Sequence, residues 1–316
     1  MRVLVTGAAG YVGYAVGRRL IAAGHEVTGL VRRADRPLPP GVRPVIGDLL
    51  DPNGLDSTLH ETYDGVCHLA ARTRVRESFD EPLAFFTTNV QGTINLLEAL
   101  TKVQPDGSPA PAPAVVYGST AAVYGNPDRQ PIPEAEVPSP TSPYGAAKLA
   151  AEQLIRFHAR TGAIGAIVLR TFNVAGSVDG RRDPDETRLI PKALAVAAGH
   201  APHLTINGDG AAVREYLHVD DLAAAYVLAL EAARPGTERV YNVGSGTGAS
   251  VKEVIEAVEE VTGRRVPTRH NPPQPEPPLL VADATAIRRD LGWQPERSAL
   301  PVIIADSWAA LSSEAG

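Results

Sequence analysis

Compact apolar runs alternate with apolar positions at helical spacing through the first 175 residues. Residues 2–6 (Arg-Val-Leu-Val-Thr) make a β-branched run suited to a strand buried on both faces. Val12, Val16 and Leu20 then recur at helical spacing, which predicts a helix over 11–23 stopped by Gly24. The alternation continues with strands over 25–31, 43–46, 63–71, 114–118 and 166–171. Helices over 51–60, 82–100 and 144–160 fall between them. The stretches 37–40, 104–113 and 126–143 are proline-rich and read as loops. Six strands alternating with helices predict an α/β fold built on a Rossmann-type doubly wound parallel sheet.

After Asn173 the rhythm changes. Residues 177–187 are polar and charged and read as a surface loop. Helices are expected over 189–198, 222–233, 251–262, 283–291 and 298–311. Short strands are expected over 203–206, 213–219 and 239–243, with a turn at 207–210 and a loop at 244–248. Asp220 and Asp221 suit the start of the 222–233 helix, and Ser250 with Glu253 has capping-box spacing. Residues 270–278 hold too many prolines for a helix or a central strand. The organisation expected is a dinucleotide-binding domain over 1–175, to which 213–243 returns. A smaller C-terminal α/β substrate-binding domain is made of 176–212 and 244–316.

Composition narrows the partners. With a net charge of −6 and no basic stripe, nucleic acid and anionic membrane are not expected. The single cysteine, Cys67, rules out an intrachain disulfide and suggests no metal site; it fits a reducing cytoplasm. No run is apolar enough to span a bilayer, and a strand beginning at Arg2 leaves no leader to be expected.

The candidate chemistry begins at the first turn. A strand that breaks at Gly7 and re-enters as a helix offers free N–H groups and a positive dipole end to a diphosphate. Gly7 makes the tight turn, Gly10 admits the ligand beside Tyr11 and Val12, and Gly13 lets helix and strand approach. The second strand ends Val31-Arg32-Arg33, where an acidic residue would select NAD by its ribose 2′-OH. Two guanidinium groups there suit the 2′-phosphate of NADP; the alternative is a pair of solvated arginines. Asp35 stands too far along to be an obvious substitute for the missing acid. Asp48, followed by Leu49, is either an acceptor for an adenine amino group or an ordinary loop residue. The fourth strand ends Leu69-Ala70-Ala71, small enough for a backbone passing close to a cofactor. Asn89, in an apolar stretch, is either a satisfied core amide or part of the site's hydrogen-bond network.

Tyr144 and Lys148 lie four apart on one helix face. A lysine ammonium favours the phenolate, so Tyr144 could exchange a proton with a substrate hydroxyl. Lys148 could also bond the cofactor ribose. Ser119 and Thr120 end a strand at the carboxyl edge of the sheet, where ligands bind. A hydroxyl there can meet the substrate oxygen beside Tyr144.

Taken together, Thr6-Gly-Ala-Ala-Gly-Tyr-Val-Gly13, His68-Leu-Ala-Ala71, Ser119-Thr-Ala-Ala-Val-Tyr-Gly125 and Tyr144-Gly-Ala-Ala-Lys148 resemble the extended short-chain dehydrogenase/reductases. The likeness continues through Arg170–Gly176, Val213–Asp221, Tyr241–Ser245 and Asp283–Trp293. It is similar above all to the nucleotide-sugar 4-epimerases, reductases and dehydratases. The resemblance implies Tyr144 as acid/base and Lys148 as holder of the ribose. It implies Thr120, with Ser119, at the sugar oxygen, and Asn173 and Arg214 at the nucleotide diphosphate. Thr73 stands where such epimerases often carry lysine. Ala121 replaces the acid that dehydratases use, and Pro273-Gln-Pro-Glu276 replaces an Arg-x-Gly-Asp segment that meets the diphosphate. It also implies a homodimer formed through the 82–100 and 144–160 helices.

With Arg32 and Arg33 taken as NADP ligands, the expected activity is NADPH-dependent reduction of a 4-keto nucleotide (deoxy)sugar, TDP- or UDP-linked. Tyr144 would be the general acid. The alternative is a UDP-sugar 4-epimerase of the glucose type with tightly bound NAD. A non-catalytic NADP-binding regulator is a third reading, opposed by the intact Tyr144, Lys148 and Thr120.

Overall fold

The computed structural model describes residues 1–59, 61–102, 111–274 and 276–314. Most of the loop expected over 104–113, the helix end expected at His60 and Pro275 lie outside the described residues. Two compact units are present, the first made of Met1–Gly125, Val137–Thr171 and Ala223–Tyr241. The second is made of Asn126–Glu136, Phe172–Leu222 and Asn242–Gly316.

The first unit opens with β1 (Arg2–Thr6), α1 (Tyr11–Ala22), β2 (Glu26–Val31), β3 (Arg43–Ile46), α2 (Pro52–Thr58) and β4 (Gly65–His68). It continues with α3 (Glu77–Asp80), α4 (Pro82–Phe86), a π-helical turn Thr87–Gln91, α5 (Gly92–Leu100), β5 (Ala114–Thr120), α6 (Pro143–Arg160) and β6 (Gly165–Thr171). Later in the chain come β7 (Asn173–Ala175), β8 (Ser177–Val178), β9 (Arg181–Arg182), α7 (Leu189–Ala197), β10 (Leu204–Asn207) and β11 (Val213–His218). Then follow α8 (Val219–Ala232) and β12 (Glu238–Val243), most of whose residues fall in the first unit.

The sheet of the first unit has seven strands in the order β12-β6-β5-β4-β1-β2-β3, parallel from β6 to β3. The chain winds outward from β1 through β2 to β3, then restarts on the other side with β4. The order therefore reverses between β1 and β4, and a ligand crevice forms where strand order reverses. Leu4, Val66, Leu96, Val115, Ile155 and Val168 join one buried cluster. Their β-branched and leucine side chains are what a sheet covered on both faces requires.

The helix expected over 82–100 is interrupted. The extra residue of the π turn re-aims Asn89, whose buried amide clasps the Arg72 backbone from both sides. Helix α2 starts at Pro52, with the Asp51 carboxylate accepting from Gly54 N at 3.0 Å. Among the described residues, no helix is long and apolar enough to cross a membrane.

The second unit adds β13 (Gly248–Ser250), α9 (Val251–Thr262), β14 (Thr268–Asn271), β15 (Leu279–Leu280), α10 (Thr285–Leu291) and α11 (Leu300–Glu314). β11 is its hub, pairing with β7, β13 and β15, while β10 pairs with β14 in parallel. The Ser250–Glu253 capping box forms, and α9 packs Val254 and Val258 against Ile190, Leu194, Ile303 and Ile304.

Two expectations are corrected here. Residues 177–187 begin as the β8–β9 hairpin, and buried Asp183 is paired with Arg188 at 2.9 Å. An ion pair and two backbone pairings hold a stretch that composition alone marks as solvated. Asp220 and Asp221 lie inside the first turn of α8, which begins at Val219, so their charges suit the helix dipole as expected while the N-cap position falls ahead of them. The Asp221 carboxylate instead accepts from the N–H groups of Glu296 and Arg297 and from the Ser298 hydroxyl, at 2.6–3.0 Å.

Candidate active site

Glycine is required at the first turn by space as much as by backbone. Gly7 has φ +71°, and a Cβ on it would stand 2.9 Å from Ala70 N. A Cβ on Gly13 would stand 2.1 Å from the Gly7 carbonyl oxygen, so no side chain fits between α1 and the turn. Gly10 precedes the helix in extended conformation and brings no capping side chain. The result is a cradle of backbone at a helix N-terminus, walled by the Leu69–Ala71 backbone at the end of β4. A close-packed backbone at a helix N-terminus has the polarity that suits a dinucleotide diphosphate, so the residues present fit such a cofactor.

A buried hydrogen-bond chain fixes that wall. Thr6 Oγ1 accepts from the N–H groups of Leu69 and Ala70, each at 3.1 Å. Its one proton then goes to His68 Nδ1, 2.7 Å away. His68 Nε2 in turn donates to Thr93 Oγ1 at 2.9 Å, and Thr93 donates to the Asn89 carbonyl at 2.7 Å. Burial first, and Lys148 second, lower the His68 pKa to about 3, so the ring is a neutral spacer. The buried Asn89 amide is satisfied by the Arg72 backbone N–H and carbonyl, and so braces the loop that begins at Arg72.

The Arg32–Arg33 pair sits at the end of β2, exposed, beside Gly47, whose N–H donates to Val31 O at 3.0 Å. Arg33 makes a local pair on the surface. Its Nε and one terminal NH₂ bind the Asp35 carboxylate at 3.1 and 2.9 Å. Asp35, discounted as an acid too far along the chain, thus offsets one of the two positive charges. Asp48 is exposed and accepts from Leu50 N at 2.9 Å; Leu49 buries its side chain in the core.

On α6, Tyr144 and Lys148 are both buried, 8% and 3% exposed. The helix is opened by Ser142, whose hydroxyl accepts from Gly145 N at 3.1 Å, with Pro143 in the first turn. Gly145 has no room for a side chain, since a Cβ would lie 2.6 Å from the Ala122 carbonyl oxygen. That contact seats α6 against the turn after β5. Lys148 Nζ stands over the Tyr117 ring, 4.1 Å from its centroid. Burial lowers the Lys148 pKa to about 7, against a smaller opposing pull from Glu152. Tyr144 meets Phe85 edge to face at 6.3 Å. Thr120 accepts from Ala122 N at 3.2 Å through its hydroxyl oxygen, and Ser119 donates to the Glu152 carboxylate. Tyr144, Lys148, Ser119 and Thr120 therefore gather at the carboxyl ends of β4 and β5, where the His68 chain also ends.

Thr73 is exposed at the start of the loop after β4. Asn173 and Arg214 belong to the second unit. Asn173 Nδ2 donates to the Glu215 carbonyl at 3.0 Å, and Arg214 pairs with Glu276 at 2.8 Å. Sequence reasoning missed Glu152, Arg170, Tyr117 and Glu276. Only Glu152 carried a signal, a carboxylate four residues past Lys148 on a helix face that must be buried.

This turn–helix cradle with a Tyr/Lys pair four residues apart on α6 defines a class. The chain belongs to the NAD dependent epimerase/dehydratase family, whose model matches residues 3–244. It is an enzyme of this extended short-chain dehydrogenase/reductase group. It is 39% identical to the UDP-glucose 4-epimerase of Corynebacterium glutamicum over 99% of this chain and 96% of that one. With the UDP-glucose 4-epimerase of Streptomyces lividans the figures are 40%, 98% and 96%. A crystal structure of the UDP-glucose-4-epimerase from Stenotrophomonas maltophila, with bound NAD and formylated UDP-arabinopyranose, superposes with a TM-score of 0.88. It is 33% identical, with both chains fully covered.

These findings correct the reductase expectation: full-length relatives are epimerases, not reductases of a 4-keto sugar. The NADP preference read from Arg32 and Arg33 finds no support in them; the solved relative holds NAD.

Proposed function

We propose that this protein interconverts UDP-sugars of the glucose type at C4, using bound NAD. The observation that carries the reading is the buried Tyr144–Lys148 pair, set beside Ser119 and Thr120 at the edge of the sheet. An epimerisation oxidises and re-reduces one carbon, so it needs one group that both takes and returns a proton. Tyr144 suits that role: it accepts the proton of the C4 hydroxyl and later returns it to the same oxygen. Bound NAD would supply the hydride acceptor, and inversion requires the hydride to return to the opposite face of C4. Lys148, which titrates near neutrality, stabilises the phenolate and donates to the ribose. Thr120 orients the sugar oxygen. Gly7, Gly10 and Gly13, with Tyr11 and Val12, hold the diphosphate of the cofactor. Leu69, Ala70 and Ala71 pass beside it, and Asp48 and Leu49 lie at its adenosine end. Asn173 and Arg214 are the donors suited to the substrate diphosphate.

Purified protein is denatured and the released dinucleotide identified. Intact protein is separately incubated with UDP-galactose and no added cofactor. Release of NAD and appearance of UDP-glucose are the expected results; retained NAD with no interconversion of UDP-sugars sinks the reading.

The Arg214 pairing has a consequence for substrate binding. To meet a diphosphate, its guanidinium must give up Glu276, which is half-exposed. A pair of that exposure is worth at most about 1 kcal/mol. Glu276→Gln is therefore expected to tighten UDP by about two- to fivefold in a calorimetric titration at low salt. An unchanged affinity would show that Arg214 does not meet the diphosphate.

A further inference from the structure

Glu152 sits where a charge is expensive. Its side chain has no solvent exposure, and it lies on α6 one turn beyond Lys148 and two beyond Tyr144. Arg170 on β6, also buried, binds it through Nε at 3.1 and 3.2 Å and through a terminal NH₂ at 2.7 Å. The other arm of Arg170 donates to the Tyr124 hydroxyl at 3.0 Å, and its guanidinium lies over the Tyr124 ring at 4.8 Å. The carboxylate also takes the Ser119 hydroxyl proton. Ser119 and Arg170 are register partners on neighbouring strands.

A buried ion pair is weak as a stabiliser, because desolvation offsets its Coulomb gain. It is strong as a geometric constraint, because each oxygen has a required partner. Here the partners belong to three elements: α6, which carries Tyr144 and Lys148; β5, which ends in Ser119 and Thr120; and β6. We infer that Glu152 is a positioning residue for the reaction proposed above. It locks the strand end that presents Thr120 against the helix face that presents Tyr144, and it sets the charge facing Lys148. The inference rests on that functional reading for its reaction, but not for its geometry.

The groups facing Lys148 are Glu152 from α6, His68 from β4 and Tyr117 from β5; Arg170 from β6 acts through Glu152. His68 is neutral and Tyr117 is held well above its ordinary pKa by burial; Glu152, ion-paired with Arg170, is the carboxylate of this set. Its loss leaves the Arg170 charge unbalanced behind Lys148.

The test is Glu152→Gln in the full chain, read in two ways. The chain has four lysines, Lys102, Lys148, Lys192 and Lys252, so ¹³C-ε-lysine labelling and a Lys148→Met reference assign the Lys148 signal. Its titration midpoint, about 7 in the parent, is expected to fall by about one unit or more. Turnover of UDP-galactose is expected to lose about tenfold or more in kcat with KM within threefold, because ground-state contacts to the substrate remain. A midpoint that moves by less than about 0.3 unit, or a kcat within twofold of an active parent, overturns the inference. If the parent does not turn over UDP-sugars, the functional reading fails and the lysine titration alone decides the role of Glu152. Should Glu152→Gln not fold, Ser119→Ala removes one link and keeps the ion pair. A threefold or greater fall in kcat with an unmoved Lys148 midpoint is then required, and an unchanged kcat overturns the inference.

Discussion

The Tyr144→Phe variant is expected to fold, retain NAD and lose UDP-sugar turnover by a factor of about 10²–10⁴. The ring keeps its edge-to-face contact with Phe85 and its place on α6, so only the hydroxyl is lost. Initial rates with UDP-galactose, beside the dinucleotide content of the purified variant, check this. A variant keeping a tenth of the parent rate would remove Tyr144 from proton transfer.

Its partner Lys148 supplies an independent signature in stability. The folded protein holds Lys148 at a pKa of about 7, below the ordinary 10.5, because the ammonium is buried. Below about pH 7 both folded and unfolded chains carry that proton, and the desolvation penalty is present in full. Between about 7 and 10.5 the unfolded chain holds more protons, so stability rises with pH. Melting curves of the parent relative to Lys148→Met should show the parent gaining stability across this window.

The second large effect is at Gly13. Gly13→Ala places a Cβ 2.1 Å from the Gly7 carbonyl oxygen, against backbone that has no rotamer to yield. The variant is expected to lose at least about 2 kcal/mol of stability, as overpacked cores do, and to be isolated without dinucleotide. Gly10→Ala is the control, since its Cβ would meet the same oxygen at 3.1 Å and the backbone there is already in the extended region. Denaturant melts and released-nucleotide assays order the two. Equal losses would mean that the Gly13 approach does not shape the cradle.

Two expectations rest on residue types read in isolation. Arg32 and Arg33 are two charges at the position of the ribose, and that reading favours a reductase over an epimerase; the full-length relatives overturn it. The polar run 177–187 was weighed as composition, whereas pairing to Arg188 makes Asp183 a buried member of the second unit. In the second case a pair of side chains near in sequence decides the outcome, which an inventory of residue types does not contain.

The alternation of strands and helices in the seven-stranded sheet was legible in the sequence, apart from the π turn that breaks the 82–100 helix. Strand runs, helical spacing and the Gly7–Gly13 turn are local patterns, and local hydrogen bonding and steric demands read them directly. The Tyr144–Lys148 pair was legible for the same reason, because four residues on one helix fix their geometry. What only the tertiary structure decided are contacts between distant segments. They include the Thr6–His68–Thr93–Asn89 chain, the Asn89 clasp made possible by a π turn, and the Glu152–Arg170–Ser119 lock. No residue type forces such a contact until packing excludes water. Then each buried polar group must find a partner, and the partners that remain in reach hold the end of β5 and the face of α6 in one geometry.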